Sequence, residues 1–418
     1  MISRRKFMTA TSVGLVGASR ASIAAGDESP AAAGTRGAAK SVAAVVTVYR
    51  PGSHAEAILG KILTGWEHDG GPGPALTLAS MYVDQFPRND LARGISNQYK
   101  IPIFDTIAGA LTLERNAIAV DGVLIIGEHG DYPMNDLGQR LYPRRRFFEE
   151  VSNSFAAHKR VVPVFNDKHL GPVWDDAKWM YDRAGEMKIP LMAGSSLPVS
   201  YRSPLVEVPL GSPVESAVGV GYGELDKYGI HALECYQALV ERRAGAETGV
   251  KWVQCLQGPE AWTAVQERMV NKDALDAALA IVPKTAHADV YRDDGATLFL
   301  FEYCDGLQGA VLMLPSISRS AVGLRIRGKE TVLATSFEER SDPHYPHFAY
   351  LLKAIETMVH TGRPTYPVER TLLSGGILDR VLRSRARGGP QIWTPELAIA
   401  YQPVAYPHAP NPDLNSRE

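Results

Sequence analysis

Lys168 has a side chain and a setting suited to acid–base chemistry. It stands in Asp167-Lys168-His169, after residues 160–165, an apolar segment that predicts a β-strand. An ammonium group at the end of a strand can polarise a hydroxyl or carbonyl group, and it can transfer a proton if its pKa is lowered. The pattern favours a functional Lys168, with Asp167 and His169 beside it. The alternative is a surface lysine on a turn, paired with Asp167.

His231 and Glu234 form a second candidate pair. Both fall in residues 229–243, an apolar segment that predicts a long helix, and their spacing places them on one helix face. A neutral imidazole there could act as a general base towards a hydroxyl group. The alternatives are a core histidine satisfied by hydrogen bonds and a structural acid.

A third group of polar residues follows the most apolar predicted strand, residues 120–126. It comprises Glu128, His129 and Asp131, in the turn Gly127-Glu128-His129-Gly130-Asp131. A turn requires fewer polar groups than this, so the pattern favours side chains that face a ligand. The alternative is that Asp131 or Asn135 caps a helix. Arg144, Arg145 and Arg146, further on, are interpreted as the solvated or carboxylate-pairing start of a helix, with binding of an anionic ligand as the alternative.

Histidines and carboxylates from these separate loops could also converge on a divalent metal such as zinc, manganese or iron. That set comprises His129, Asp131, Asp167, His169, His231 and Glu234. No spacing among them is diagnostic of a metal site. The three cysteines, Cys235, Cys255 and Cys304, have no zinc-ligand spacing and are too few for a disulfide framework, although one pair could form.

Short apolar strands alternate with amphipathic helices from residue 41 to residue 195, which predicts a doubly wound, mostly parallel sheet. Strands are predicted at residues 41–48, 75–83, 102–104, 120–126, 160–165 and 189–193, and helices at residues 54–66, 90–98, 106–113, 144–158 and 177–186. Ligands of such sheets bind at the carboxyl ends of the strands, where the polar turns lie.

The pattern changes after residue 195 to one that predicts a mainly antiparallel sheet with helices. Strands are predicted at residues 205–208, 217–220 and 250–256, then strand-rich segments to residue 332, including a hairpin around Asp305-Gly306. A late helix at residues 347–361 precedes a proline-rich closing stretch. The predicted organisation is therefore a nucleotide-binding-type α/β domain at 41–195, an α+β domain at 196–400 and a tail at 401–418.

The N-terminus is typical of an export signal. Ser3-Arg4-Arg5-Lys6-Phe7 precedes a mildly apolar run, residues 8–18, and small residues follow at 22–25. We interpret residues 1–25 as a twin-arginine signal peptide read by the twin-arginine export machinery, and residues 26–40 as a flexible linker. The apolar run is too short for a stable membrane span. The expected location is the periplasm or the cell exterior, and the formal net charge of −2 gives no sign of nucleic-acid binding.

Several motifs in this order resemble those of the glucose-fructose oxidoreductase and inositol dehydrogenase (Gfo/Idh/MocA) family. Ser53-His54 matches the family's histidine after the first strand, and Asp84 matches the acid that ends its second strand. Asp167-Lys168-His169 is similar to its Glu-Lys-Pro motif, and Gly229-Ile230-His231 to its Gly-x-His. The segment HFAYLLKAIETMVHTGRP, residues 347–364, is similar to its late helix.

The resemblance implies a Rossmann-type first domain, a tightly bound NAD or NADP, and hydride transfer to or from a sugar or polyol. It implies Lys168, His231 and Asp167 as catalytic residues, with Lys168 beside the nicotinamide. Cofactor-binding residues would be Tyr49, Arg50, Ser53, His54, Asp84, Glu128 and His129; substrate-binding residues would be Asp131, His169, Tyr228 and Glu234. A homo-oligomer is a further expectation from the family.

The sequence departs from the family at the phosphate-binding loop. Its three glycine positions fall on Val46, Val48 and Pro51, with only Gly52 nearby. Because those glycines let the backbone approach the pyrophosphate, residues 49–53 could not bind a dinucleotide in the standard way, although Arg50 could pair with a phosphate. Two alternatives therefore stay open: a cofactor-independent or metal-dependent carbohydrate lyase or hydrolase, and a non-catalytic sugar-binding protein.

Overall fold

The first half of the chain builds the predicted parallel sheet. The computed structural model describes residues 38–285, 289–342 and 344–410. Six parallel strands lie in the order β3-β2-β1-β4-β5-β6. The central strands are runs of valine, isoleucine and leucine buried on both faces, as such sheets require. The strands are β1 Lys40–Val46, β2 Leu76–Val83, β3 Ile103–Phe104, β4 Gly122–Ile126, β5 Val164–Asp167 and β6 Leu191–Gly194.

Helices cover both faces of this sheet, each burying one apolar side. On one face Ile58 and Leu59 pack with Leu352 and Ile355 of a late helix; on the other lie Phe147 and Phe155. The helices are α1 His54–Thr64, α2 Ala92–Tyr99, α3 Ile107–Thr112, α4 Arg144–His158 and α5 Trp174–Met187.

The second half forms an eight-stranded sheet in the order β14-β9-β10-β11-β8-β12-β13-β7. Every neighbouring pair is antiparallel except β11 with β8. The predicted hairpin is confirmed, with Gly306 at φ +90° in its turn. The strands are β7 Tyr201–Ser203, β8 Val214–Gly221, β9 Val250–Gln257, β10 Thr297–Tyr303, β11 Gln308–Met313, β12 Ser320–Ile326, β13 Leu333–Glu338 and β14 Ile392–Trp393.

Five further helices lie in the second half of the chain, within the described residues: α6 Leu225–Val240, α7 Pro259–Gln266, α8 Lys272–Ile281, α9 Phe348–Thr361 and α10 Glu369–Ala386. Of these, α9 packs with α1 on the first sheet. Helix α10 packs against α5, α6 and β9, and so joins the layers of the two sheets. Helix α6 begins four residues before its predicted start, which places Tyr228 in its first turns rather than before the helix.

Some local predictions are wrong. Residues 205–208 are not a strand, because Pro204 and Pro209 flank them and a proline cannot donate to a ladder; the strand is Tyr201–Ser203 instead. Segments expected to be strand-rich contain α7 and α8, and the closing stretch contains the long helix α10.

The fold class is confirmed: a parallel Rossmann-type sheet with helices on both faces, followed by a mainly antiparallel sheet. The described residues from 38 to 410 group as one compact unit, and the predicted boundary at 195/196 follows directly on β6. The domain boundaries themselves stay a prediction. The predicted signal peptide and most of the linker lie outside the described residues, and within those residues no helix is both long and apolar enough to cross a bilayer.

Candidate active site

The candidate site lies where β1, β4, β5 and β6 end. In the strand order, the chain moves from β1 outwards to β2 and β3, then returns to the other side of β1 with β4. Such a switch point opens a crevice at the carboxyl ends of the strands. Residues that follow four different strands meet there: His54, Glu128, Lys168 and Ser195.

Lys168 is held at the base of this crevice by a buried carboxylate. Its Nζ donates to Glu128 Oε1 at 2.9 Å and to the carbonyl oxygen of Lys227 at 3.3 Å. The other oxygen, Glu128 Oε2, accepts from Arg144 Nη2 at 2.6 Å. Lys168 and Arg144 are only 2% and 1% exposed, so one carboxylate serves two enclosed cations. The three arginines thus start a helix and pair with carboxylates, as predicted: Arg144 does so inside the fold, and Arg145 and Arg146 form partly exposed pairs.

The charges of this cluster fix the protonation state of Glu128. Burial would raise the pKa of its carboxyl, but the charges of Lys168 and Arg144 outweigh burial and hold the pKa well below the usual value. Glu128 is therefore an ionised anchor for the lysine, rather than a proton donor or a cofactor ligand.

His54 and Asp167 form a second buried pair. His54 Nδ1 lies 2.6 Å from Asp167 Oδ2, with the His54 side chain 18% exposed and that of Asp167 1%. The His54 ring also packs edge-on against His129 and Phe348, at centroid distances of 5.3 and 5.0 Å. Burial lowers the pKa of His129 to about 4, so this ring is neutral near pH 7. Asp167 thus supports a histidine rather than Lys168.

His231 reaches the same crevice from α6. Its Nδ1 lies 2.5 Å from Ser195 Oγ, and its ring packs near Tyr228. Burial, followed by the positive charge of Lys168, lowers the pKa of His231 well below its usual value. Lys168 and His231, the two predicted acid–base residues, therefore share one cleft with His54, which was predicted to bind the cofactor.

These residues line a cleft of about 280 Å³. The sequence interpretation missed its far wall, which comes from the chain after β13: Glu339, Arg340, Ser341, Tyr345 and His347. The signal was a run of charged residues directly after a strand, but the order of the second sheet was needed to bring it here. A larger groove of about 930 Å³, with Trp262 and Tyr291, holds none of the predicted site residues.

Other predicted site residues lie outside the cleft lining. Glu234 is enclosed below His231, where Ser195 N–H and the Thr371 hydroxyl donate to its carboxylate. Burial raises the pKa of Glu234 to about 7. His169 is buried behind Lys168, Asp131 is exposed, and Tyr49 is part of the core. Arg50 donates to the neighbouring Pro51 carbonyl.

The start of α1, where the fold places a dinucleotide pyrophosphate, is capped by the chain's own side chains. Ser53 Oγ accepts from Glu56 N at 3.2 Å, and the Glu56 carboxylate accepts from Gly52 N at 2.6 Å. A carboxylate at that place repels phosphate and takes a backbone donor that phosphate would use. The missing glycines and this cap agree, so the standard mode of pyrophosphate binding does not fit.

Asp84, the carboxylate expected to bind the adenine ribose, already makes hydrogen bonds within the chain. Asp84 accepts from Tyr82 and Tyr132, both at 2.7 Å, and from Arg146 at 2.5 Å. Burial would raise the pKa of Asp84, but these donors together lower it. Gln85 meanwhile exchanges two hydrogen bonds with the backbone of Asp131, at 2.8 and 2.9 Å, which joins the loops after β2 and β4. Lys168 and His231 line the cleft, whereas the residues expected at the adenosine end are bonded within the chain.

The divalent-metal alternative lacks a ligand set in the described part of the chain, where no three histidine, cysteine or acidic side chains gather closely enough to hold an ion. Cys235, Cys255 and Cys304 are all free thiols.

Comparisons with known proteins identify solved structures that have a similar fold. No family model matches the sequence, and no curated protein matches it. Among solved structures, GenD2 from gentamicin A biosynthesis, in complex with NAD, has a TM-score of 0.55 at 12% identity over 86% of this chain and 97% of its own. A putative myo-inositol dehydrogenase from Sinorhizobium meliloti has a TM-score of 0.52 at 13% identity over 85% and 99%. A probable dehydrogenase from Thermotoga maritima has 0.52 at 11% over 85% and 99%.

The chain has the fold of these dehydrogenases. The resemblance to inositol dehydrogenases stated above thus agrees with the structure at the level of fold, over almost the whole length of each neighbour.

Proposed function

We propose that this chain is an oxidoreductase that acts on a sugar or polyol in the cleft, with a nicotinamide dinucleotide as the hydride carrier. The observation that carries the proposal is the group formed by Lys168, His54 and His231 at the switch point of the sheet. Further support comes from the neighbours: GenD2 is described in complex with NAD, and another is named a myo-inositol dehydrogenase.

The cleft suits a small polyhydroxylated substrate. Its volume of about 280 Å³ lies just below the range of about 300–1,000 Å³ for small-molecule sites, which favours a small ligand. The Lys168 ammonium orients a substrate oxygen and stabilises negative charge on it, and the two histidines donate and accept protons around it. Bound there, a nicotinamide ring would supply the hydride acceptor; because the adenosine end does not fit the standard mode, we derive no step through it.

Two measurements test the proposal together. Native mass spectrometry of the full chain should show one nicotinamide dinucleotide per chain, and incubation with sugars and polyols should change the dinucleotide's absorbance. The Lys168→Met variant should lose about 10²- to 10⁴-fold in kcat/KM, the usual contribution of an acid–base group. Lys178→Met is the matched control, because Lys178 pairs with Asp182 on the exposed side of α5. Unchanged turnover in Lys168→Met would refute the assigned chemistry.

A second candidate is a nucleotide-independent acid–base enzyme, such as a carbohydrate lyase. The hydrogen bonds that the chain makes with itself where adenosine would bind favour this candidate: Glu56 caps the start of α1, and Asp84 accepts from Tyr132. Incubation of sugars in deuterated water without any dinucleotide separates the candidates. Elimination, or exchange of a carbon-bound hydrogen, that depends on Lys168 would support this second candidate and displace the first.

We also propose that the chain is exported by the twin-arginine pathway. Its support is the segment Ser3-Arg4-Arg5-Lys6-Phe7. Replacing Arg4 and Arg5 together by lysine should retain the protein in the cytoplasm, as cell fractionation would report. An unchanged distribution would contradict the assignment.

A further inference from the structure

We infer that His54 and His231 present the same ring nitrogen, Nε2, to the cleft in opposite protonation states. His54 Nε2 accepts a proton, and His231 Nε2–H donates a hydrogen bond. Ser195 and Asp167 are the positioning residues that fix this arrangement. The inference rests on the proposed function only for its catalytic meaning, because the protonation pattern itself is a property of the protein.

The donor character of His231 follows from the bonds made by Ser195. Its hydroxyl oxygen accepts from Leu197 N–H at 3.1 Å and lies 2.5 Å from His231 Nδ1. Within the described residues no other acceptor lies within hydrogen-bond distance of this buried hydroxyl, so its proton goes to Nδ1. A neutral imidazole with an accepting Nδ1 carries its proton on Nε2.

The rest of the β6 end holds Ser195 in this role. Glu234 accepts from the backbone N–H of Ser195 and from Thr371, which ties β6, α6 and α10 together. Gly194, at φ +137°, allows this close approach, because a Cβ there would lie 3.0 Å from Thr371 Oγ1 and 3.1 Å from Glu234 Oε1. The Ser195 hydroxyl is thereby directed by backbone and side-chain contacts on both sides.

The Nδ1 atom of His54 bonds to an acceptor, whereas that of His231 bonds to a donor. A carboxylate oxygen accepts hydrogen bonds, so the contact of 2.6 Å to Asp167 Oδ2 places the proton of His54 on Nδ1. In that tautomer, Nε2 has a free lone pair. Both histidines line the same cleft, and neither Nε2 bonds to another described group or is sealed from solvent.

The proton balance of the resulting step is simple. The proton of a substrate hydroxyl moves to His54 Nε2, and the electron pair of the broken O–H bond stays on the substrate oxygen. His231 Nε2–H and the Lys168 ammonium stabilise that oxygen by hydrogen bonds. His54 is therefore the base, a role that the sequence interpretation gave to His231.

The test is a two-bond ¹H–¹⁵N correlation spectrum of the full chain labelled at its 11 histidines, near neutral pH, with signals assigned through His54→Gln and His231→Gln. The expected spectrum shows His231 protonated at Nε2 and His54 protonated at Nδ1. Ser195→Ala should change the His231 signals and leave those of His54, whereas Ser196→Ala, at the next buried serine, should change neither. A His231 protonated at Nδ1, or the same tautomer at both rings, overturns the inference without need of any variant.

Kinetics separates this inference from the proposed function. Asp167→Asn should reverse the tautomer of His54 and lower kcat by about 10²- to 10⁴-fold with little change in KM. If His54 reverses its tautomer while turnover stays unchanged, His54 is not the base. If no sugar or polyol is turned over by the unaltered chain, the proposed function fails while the spectrum still decides the tautomers.

Discussion

At the scale of single residues, one buried carboxylate balances the positive charges of two buried side chains. Glu128 is the described counter-ion of both Lys168 and Arg144, through contacts of 2.9 and 2.6 Å. Its replacement would leave two enclosed cations without a negative partner. Removing one member of a buried ion pair commonly costs about 3–5 kcal/mol, because desolvation of the remaining charge is no longer offset.

Glu128→Gln should accordingly lower the free energy of unfolding by about 3–5 kcal/mol, measured by urea denaturation. Glu302→Gln is the control: its partner Lys251 is 39% exposed, and surface pairs contribute about 0–1 kcal/mol. A loss in Glu128→Gln no greater than in Glu302→Gln would show that Lys168 and Arg144 are neutralised in some other way.

At the scale of elements, strand β12 of the second sheet packs directly against the backbone of helix α8. A Cβ added at Gly323 in β12 would lie 2.0 Å from the carbonyl oxygen of Ala274 in α8. The helix backbone thus rests directly on the strand, and only a glycine fits between them.

Gly323→Ala should therefore destabilise the protein by about 1–3 kcal/mol, the usual cost of overpacking, because α8 must move away from β12. Gly185→Ala serves as the matched change. Gly185 lies on the exposed side of α5 with nothing within 4 Å of a Cβ, so alanine should stabilise that helix by about 1 kcal/mol. Equal thermal shifts in the two variants would contradict the packing of α8 on β12.

Elements whose signal is local were predictable from the sequence. Helix α4 spans the predicted residues 144–158, and the six parallel strands follow from apolar runs. Helix α10 was missed because Gly375 and Gly376 lower its helix propensity. Gly376 is needed for packing, since a Cβ there would lie 2.9 Å from the Trp174 ring. That contact joins distant parts of the chain, and no local pattern reveals it.

The candidate site was predictable in the same uneven way. Lys168 and His231 could be found, because each stands in a polar turn or helix start with a recognisable motif. Their pairings could not be found: Glu128, although named as a candidate, is 40 positions from Lys168, and Ser195 is 36 positions from His231. Pairing across strand ends depends on sheet order, which the chain reveals only when folded.

At the scale of the whole molecule, the fold encloses several neutral histidines. Burial lowers the pKa of His231 and His169 well below the usual value, that of His129 to about 4 and that of His347 to about 3. Each of these groups takes up its proton near pH 6.5 when unfolded but not when folded. The unfolded state therefore binds more protons below that pH, and stability falls as the solution is acidified.

Glu234 acts in the opposite direction, because burial raises the pKa of its carboxyl to about 7. The folded chain then binds a proton between about pH 7 and 4.5 that the unfolded chain lacks, so this group alone gains stability on acidification. Burial also raises the pKa of the Asp226, Glu241 and Glu339 carboxyls and lowers that of His68 to about 4, so five histidines stand against four carboxyls. The net expectation is a free energy of unfolding that decreases from pH 7 to pH 5.

Urea denaturation across that range should show the decrease, and single variants should reveal its source. His169→Gln should remove about 1.4 kcal/mol per pH unit from the slope below pH 6, which is the linkage of one proton. Gln98→Ala, which removes an exposed side chain without an ionisable group, should leave the slope as it is. A His169→Gln slope equal to that of the unaltered chain would mean that His169 is protonated in the fold, and that the cluster around Lys168 and Arg144 holds more positive charge than its one carboxylate balances.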